Sequence, residues 1–295
     1  MKRFLSLKKT LALAAALAIA APLLAFEWPA KNLDPSQSVF TFGQNRSGRF
    51  NQSIVFQNAQ GAKATDKGKI IAVITEKQND GDWFESPLGN ALIIQHDDEL
   101  LSVYGNLSEQ SAKSLLKKSA VFDGEDLGDA AQSAWSETEE SGSLEFQIVD
   151  SNSKSYINPI ILMPRSAKPP KLSLDNISIE NQFGRIYNLA LLRSVPAGVY
   201  KVYKKRQANI VSFKSEIYVN GSEVEKITKE TIKGQNGRLI ISGSGDSYES
   251  SAFYPNDEME FIGHALLPHG NNTISVTVSD IYEGSVAANF TLSGY

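Results

Sequence analysis

Short runs in which apolar and polar residues alternate, punctuated by glycine, recur along most of the chain and predict β-strands rather than helices. Gly68-Lys-Ile-Ile-Ala-Val-Ile-Thr75, Asn90-Ala-Leu-Ile-Ile-Gln-His96, Leu100-Leu-Ser-Val-Tyr104 and Ser143-Leu-Glu-Phe-Gln-Ile-Val149 are four such runs. A polar loop at Gln78–Asn90 and an acidic stretch at Ser133–Gly142 lie between them. Ser108–Lys118 predicts one short helix with serines near its start. Met163-Pro-Arg-Ser-Ala-Lys-Pro-Pro170 then breaks the pattern, because proline offers no backbone N–H to a sheet and holds its neighbours extended. Beyond it, runs at Leu172–Glu180, Gly184–Ala190, Gly198–Tyr203, Ser215–Val219, Gly237–Ser242, Asn272–Ser279 and Ala287–Leu292 follow at the spacing of a β-sandwich. Asn220-Gly221 marks a hairpin turn. The expected class is all-β: a β-sheet core domain over residues 26–163, a Pro-rich linker at 164–170, and an immunoglobulin-like β-sandwich over 171–295.

The first 25 residues break this alternation. Lys2, Arg3, Lys8 and Lys9 precede the apolar run Leu-Ala-Leu-Ala-Ala-Ala-Leu-Ala-Ile-Ala-Ala-Pro-Leu-Leu-Ala25. A basic start, a short apolar stretch and a small-residue end predict a secretory signal over 1–25, cleaved after Ala25. The run is short for a membrane span, and Pro22 lies near its end. No later stretch is apolar enough to span, so the expected product is exported, to a bacterial periplasm or the medium, with no membrane span after cleavage. The chain's formal charge is −4, and removing the leader's four cations leaves 25 basic against 33 acidic side chains. An acidic product is a poor fit to nucleic acid. With no cysteine, disulfides, thiolate zinc sites and a cysteine nucleophile are all excluded, and only three histidines remain for imidazole chemistry.

Several motifs of the first domain occur in a telling order. Phe42-Gly43 is followed by Gln60-Gly61, Ala64 and Gly68-Lys-Ile-Ile71, then by Gly89-Asn90-Ala-Leu-Ile-Ile-Gln-His96. Tyr104-Gly-Asn-Leu-Ser108, Gly124-Glu-Asp-Leu-Gly128, Ser143-Leu-Glu-Phe-Gln-Ile148 and Ile157-Asn-Pro159 complete the series. In this order the segment from Phe40 to Leu162 resembles the lysostaphin-type (LytM-like) zinc endopeptidases that cut peptide cross-links in bacterial cell walls. The resemblance implies a LytM-type β-sheet fold. It also implies zinc held by two histidines and one aspartate, with further histidines assisting at the reacting carbonyl.

Those catalytic residues do not carry over. Where the family has His-x-x-x-Asp, this chain aligns Asn51-Gln-Ser-Ile-Val55, so Asn51 and Val55 replace the histidine and the aspartate. Asn106 replaces the histidine of Tyr-x-His-Leu-Ser, while Ser143 and Glu145 replace the two histidines of His-Leu-His-Phe. Valine has no donor atom, an asparagine carbonyl is a weak zinc ligand, and one carboxylate is not a zinc-binding set. Nor does Asn106 transfer a proton near neutral pH as an imidazole does. The expectation is a pseudoenzyme without zinc. Its former groove, lined by Asn51, Tyr104, Asn106, Ser143 and Glu145, would bind peptidoglycan peptide or a cell-envelope protein, and catalytically degenerate relatives can regulate wall hydrolases. Two other functions remain open. One is an active peptidoglycan metalloendopeptidase with a diverged metal site. The other is a structural envelope or appendage component acting through protein contacts.

Other constellations predict less. Trp83 and Phe84 either present an aromatic surface beside the groove or pack onto their own sheet. Asn79-Asp-Gly-Asp82 lacks the length and terminal glutamate of a calcium loop. His96 reads as a strand-end residue before an acidic turn. His264 and His269 have no zinc spacing and suggest a polar turn. Glu137-Thr-Glu-Glu140 reads as a solvated loop and Lys204-Lys-Arg206 as an exposed turn.

Overall fold

The computed structural model describes residues 26–30, 38–59, 61–75, 77–79, 82–83, 86–131, 133, 142–164, 171–207 and 210–295. The leader at 1–25, Glu137–Glu140 and all but the first residue of the Pro-rich segment lie outside them. The described chain is all-β with a few short helical turns. Its helix, Glu109–Leu115, begins where Ser108 accepts a hydrogen bond from the Ser111 N–H at 3.1 Å, capping a helix end that would otherwise be unsatisfied.

The largest sheet runs, edge to edge, through Ala120–Val121, Gly68–Ile74, Asn90–Gln95, Leu100–Leu107, Leu144–Asp150 and Ser155–Ile157, and then through Thr231–Gln235, Arg238–Ser242 and Ser247–Glu249. Ile54–Phe56 pairs with the other end of Leu144–Asp150. Ladder pairing therefore passes from the first half of the chain into the second, where Tyr156 lies opposite Ile232. Ser178–Glu180, Ile186–Asn188, Gly198–Lys205 and Met259–Leu267 form a four-stranded sheet, and Ser194–Val195, Lys214–Val219, Ser222–Thr228, Gly270–Ser279 and Ser285–Gly294 a five-stranded one. Ile179, Val202, Ile217, Ile262, Ile274 and Val276 are buried between these two sheets, as in a sandwich. The hairpin at Asn220-Gly221 forms with φ of 53° and 82°, the left-handed pair that a two-residue turn needs.

Several elements differ from the sequence pattern. The polar loop after Ile74 contains a small hairpin, Lys77–Asn79 with Asp82–Trp83. Leu172–Glu180 is strand only at Ser178–Glu180. The residues around His264 form the nine-residue strand Met259–Leu267 rather than a polar turn. Its glycine and histidine mask the alternation, which a bulge opposite Val202 and Tyr203 also interrupts.

A third core joins the two halves. Phe42 and Phe50 from the first half pack with Tyr203, Ile227, Ile232, Ile241, Tyr248, Phe253, Tyr254 and Phe261 from the second. Beside it Lys204, expected in an exposed turn, is fully buried because the strand Gly198–Lys205 extends past it. Its ammonium lies 2.7 Å from Glu260, whose other oxygen is 2.7 Å from Lys229. Ser212 donates to the same carboxylate at 2.8 Å. Burial alone would raise the Glu260 carboxyl, but Lys229 and Lys204 outweigh it and hold the group down at about 2.

A carboxyl held below its ordinary 4.5 stabilises the fold above that value and loses this contribution as pH falls towards 2. Glu260→Gln is expected to cost about 3–5 kcal/mol near neutral pH, because it leaves two buried ammonium groups without a counter-charge. In urea titrations taken from about pH 5 to about pH 2.5, the gap between wild type and variant should narrow. A gap constant with pH would contradict this account of the triad.

Candidate functional site

The strand Leu144–Asp150 sets the site by its period of two. Leu144, Phe146 and Ile148 point into the first core, so Glu145 and Gln147 point to the opposite face. Glu145 lies opposite Val55 on one neighbouring strand and opposite Gly105 on the other. A Cβ at Gly105 would sit 3.0 Å from the Leu88 carbonyl oxygen, a tight approach that the glycine avoids.

Tyr104, one residue earlier, shares the face of Phe146 and packs against it with ring centroids 5.1 Å apart. It is completely buried, accepts from the Thr65 N–H at 2.8 Å, and has its hydroxyl pushed up to about 12 chiefly by that burial. Tyr104 is therefore a core residue and does not line a groove. The alternation that exposes Glu145 to the cleft turns Tyr104 away from it.

Asn106 is re-aimed by a bulge. The register slips between Tyr104 and Leu107, and Asn106 takes φ of 65°, a conformation asparagine tolerates better than most residues. Its amide donates to the Ser143 carbonyl at 2.7 Å and to the Ser143 hydroxyl, while its oxygen accepts from the Ser133 N–H at 2.6 Å. Asn51 is also buried and satisfied: its amide donates to Ser53 O at 2.7 Å and Thr41 O at 3.0 Å, and its oxygen accepts from Ser53 Oγ at 2.9 Å.

Arg46 connects these groups. It lies on a tight hairpin, Asn45–Arg46 with Arg49–Phe50, turned by Ser47 at φ 51° and Gly48 at φ 80°. Its guanidinium sits 4.8 Å above the Phe40 ring, with Nη1 3.1 Å from Glu145 Oε2 and 3.5 Å from Asn51 Oδ1. Around this bridge is a cleft of about 600 Å³ walled by Arg46, Arg49, Phe50, Glu145, Gln147 and Leu239, among others. Of the five positions expected from the sequence, Asn51 and Glu145 line the cleft. Val55 is buried beside Glu145, and Asn106 and Ser143 bond to each other behind it.

The sequence reading missed Arg46, Arg49, Gln147 and Leu239. The Arg-Ser-Gly-Arg turn at 46–49 is the one local signal that could have drawn attention to the hairpin, whereas Leu239 comes from the far side of the predicted linker. The Trp83 side chain and all of Phe84 lie outside the described residues, as do Asp80 and Gly81 of the Asn79–Asp82 run.

The histidines stay apart from the cleft. His96 is buried in the strand-end position expected, bridging Lys67 O and Ser102 Oγ at 2.8 Å each. His264 Nδ1 lies 3.1 Å from the Tyr248 hydroxyl and 3.5 Å from Glu225, and His269 is exposed in the next turn. Among the described residues, no three His, Cys, Asp or Glu side chains form a group able to hold a metal ion.

Comparison with known proteins gives three kinds of match. A protein-family model matches residues 171–294. A protein of Treponema pallidum (strain Nichols), described as an uncharacterized protein, is 31% identical over 122 residues, covering 38% of this chain and 80% of its own length. Among solved structures, similarity is at a low level, as two examples show. The catalytic domain of the prophage-encoded M23 protein EnpA from Enterococcus faecalis, as a point mutant, is 18% identical with a TM-score of 0.33. The match covers 46% of this chain and 95% of that one. A zinc-containing peptidase from Vibrio cholerae is 22% identical with a TM-score of 0.34, over 49% of this chain and 41% of that one. Likeness at this level transfers no activity.

Asn106→Ala is expected to destabilise the protein by about 2–4 kcal/mol. It removes the amide's hydrogen bonds to Ser143 and Ser133 from a buried position and places alanine at positive φ. Urea denaturation monitored by tryptophan fluorescence measures the loss, and an effect under about 1 kcal/mol would show that this network is not structural.

Proposed function

The chain belongs to the family of the Treponema pallidum protein, and we infer its function from the chemistry of the cleft. We propose that it is an exported, non-catalytic protein of the cell envelope, with a degenerate LytM-like domain that binds peptidoglycan peptide or an envelope protein in the cleft beside Glu145. The observation that carries this reading is the Arg46 bridge, which places a fixed cation against the single carboxylate of the degenerate site.

The donor set does not fit a zinc centre. Val55 has no donor atom, Asn51 Oδ1 already accepts from Ser53, and Glu145 is paired with a guanidinium. Two histidines and a carboxylate with an open position, the usual catalytic set, have no counterpart in these residues. The lining suits binding: amide groups on Gln52 and Gln147 share the cleft with apolar side chains at Phe50, Pro87, Leu88 and Leu239.

Export is proposed from the basic and apolar pattern of residues 1–25. No helix among the described residues is long and apolar enough to cross a membrane. A regulatory role towards wall hydrolases follows from the resemblance alone.

Purified protein should be retained on isolated sacculi or co-purify with one envelope protein, and should leave cross-linked muropeptides intact. Leu239→Trp, which fills the cleft from its apolar wall without adding charge, should reduce that retention or co-purification severalfold, with the melting temperature checking that the variant is folded. Stoichiometric zinc and muropeptide cleavage, both lost in Glu145→Ala, would overturn the reading in favour of a diverged metallopeptidase.

A further inference from the structure

We infer that the cleft takes an anionic peptide segment, received through a carboxylate by Arg46 with Arg49 beside it. The inference rests on the reading of the cleft as a binding site and goes further by naming the chemistry of its occupant.

Among the described residues, two arginines and one glutamate are the charged groups that line the cleft, so their lining is cationic by one unit in a chain whose formal charge is −4. This positive excess is concentrated further by the hairpin, where Arg46 and Arg49 lie directly opposite each other. Like charges so placed destabilise a strand pair. Glu145 compensates Arg46 at 3.1 Å, but Arg49 is exposed and has no ion pair among the described residues. An arrangement that costs stability when empty is relieved by an incoming anion.

The geometry of Arg46 adds direction. Its stem is held over the Phe40 ring, and among the described residues only Nη1 is engaged by a hydrogen bond. A guanidinium carries five N–H donors in a planar fork, so pairing with Glu145 through Nη1 leaves the Nε and Nη2 donors for a second carboxylate. Two parallel N–H···O bonds to one carboxylate are the strongest neutral-pH contact such a group makes. The amides of Gln52 and Gln147 line the same cleft, Gln147 also donating to Glu145 Oε1 at 3.3 Å, and Phe50 and Leu239 form apolar walls. That combination suits a peptide, whose backbone takes the amides and whose side chains take the walls, better than a bare ion. A volume of about 600 Å³ holds a short segment of this kind.

Glu145 then has a second role. Its carboxylate competes with the ligand's for the same guanidinium, so it sets how strongly Arg46 is available. Neutralising Glu145 should tighten binding, whereas a residue serving the fold alone would give no gain.

Calorimetric titration of the full exported chain with two peptides tests this. One is acetyl-Ala-Glu-Ala-Ala with a free C-terminus, and the other is acetyl-Ala-Gln-Ala-Ala amide, which has the same shape and no charge. The anionic peptide should bind at least about tenfold more tightly, with the preference lost in Arg46→Gln and partly kept in Arg46→Lys. Glu145→Gln should tighten the anionic peptide about threefold or more and leave the neutral one unchanged. Melting temperatures check that each variant is folded, and Glu145→Gln keeps the test open if Arg46→Gln fails to fold.

Equal affinity for both peptides, a preference that survives Arg46→Gln, or no binding of either peptide up to about 5 mM would overturn the inference. Equal binding of both that the neutral blocking variant Leu239→Trp abolishes would refute the carboxylate preference and leave the cleft as a binding site. Binding that Leu239→Trp does not affect would refute the cleft itself.

Discussion

The pairing of Ser155–Ile157 with Thr231–Gln235 is the contact on which the rest of the molecule depends. It carries the main sheet out of the first half of the chain and into a segment that lies, in sequence, between two strands of the sandwich. Backbone groups at a sheet edge must be paired or exposed to water. Here the edge left by Tyr156 is covered by Ile232, and Asn158 reinforces the seam by donating its backbone N–H to the Glu230 carbonyl at 2.8 Å. Phe42 and Phe50 reach across the same seam into a core otherwise built from the second half. Removing either half would expose large aromatic surfaces, so the halves stabilise each other through ordinary hydrophobic burial.

The same seam shapes the cleft. The hairpin carrying Arg46 and Arg49 has few bonds of its own, and it is held from the other half. Phe50 packs against Phe253 with centroids 5.3 Å apart, Ser250 donates to Asn45 at 3.2 Å, and Tyr254 donates to the Gly43 carbonyl at 2.7 Å. Leu239 supplies a wall directly. The second half is thus more than a spacer for the first, since it fixes the position of the cations and closes one side of the cleft. The buried Lys204–Glu260–Lys229 triad lies under the same junction, and Lys229 approaches Gly43 closely enough that a Cβ there would come within 3.1 Å of it.

Much of the fold was legible in the pattern of residues because burial on one face of a strand imposes a period of two. The strands at Gly68–Ile74, Asn90–Gln95 and Leu144–Asp150, the helix capped by Ser108 and the Asn220-Gly221 turn all follow from local rules that hold wherever the segment is placed. Met259–Leu267 escaped because its bulge at Gly263 shifts the alternation. Tyr104 was misread for a related reason: it was placed by its motif rather than by its face, although its pairing with Phe146 puts it in the core.

By itself the sequence determined that this chain is built of β-strands and which side chains stand at Asn51, Val55, Asn106, Ser143 and Glu145. Both follow from residue type and nearest-neighbour spacing, which act along the chain. Only the tertiary structure decided what surrounds those side chains. Arg46 and Glu145 are 99 positions apart, and Leu239 comes from beyond the Pro-rich segment, 94 positions after Glu145. The ion pair, the orientation of Asn106 at its bulge and the cleft itself arise from contacts between distant segments, and no local periodicity encodes which distant segments will meet.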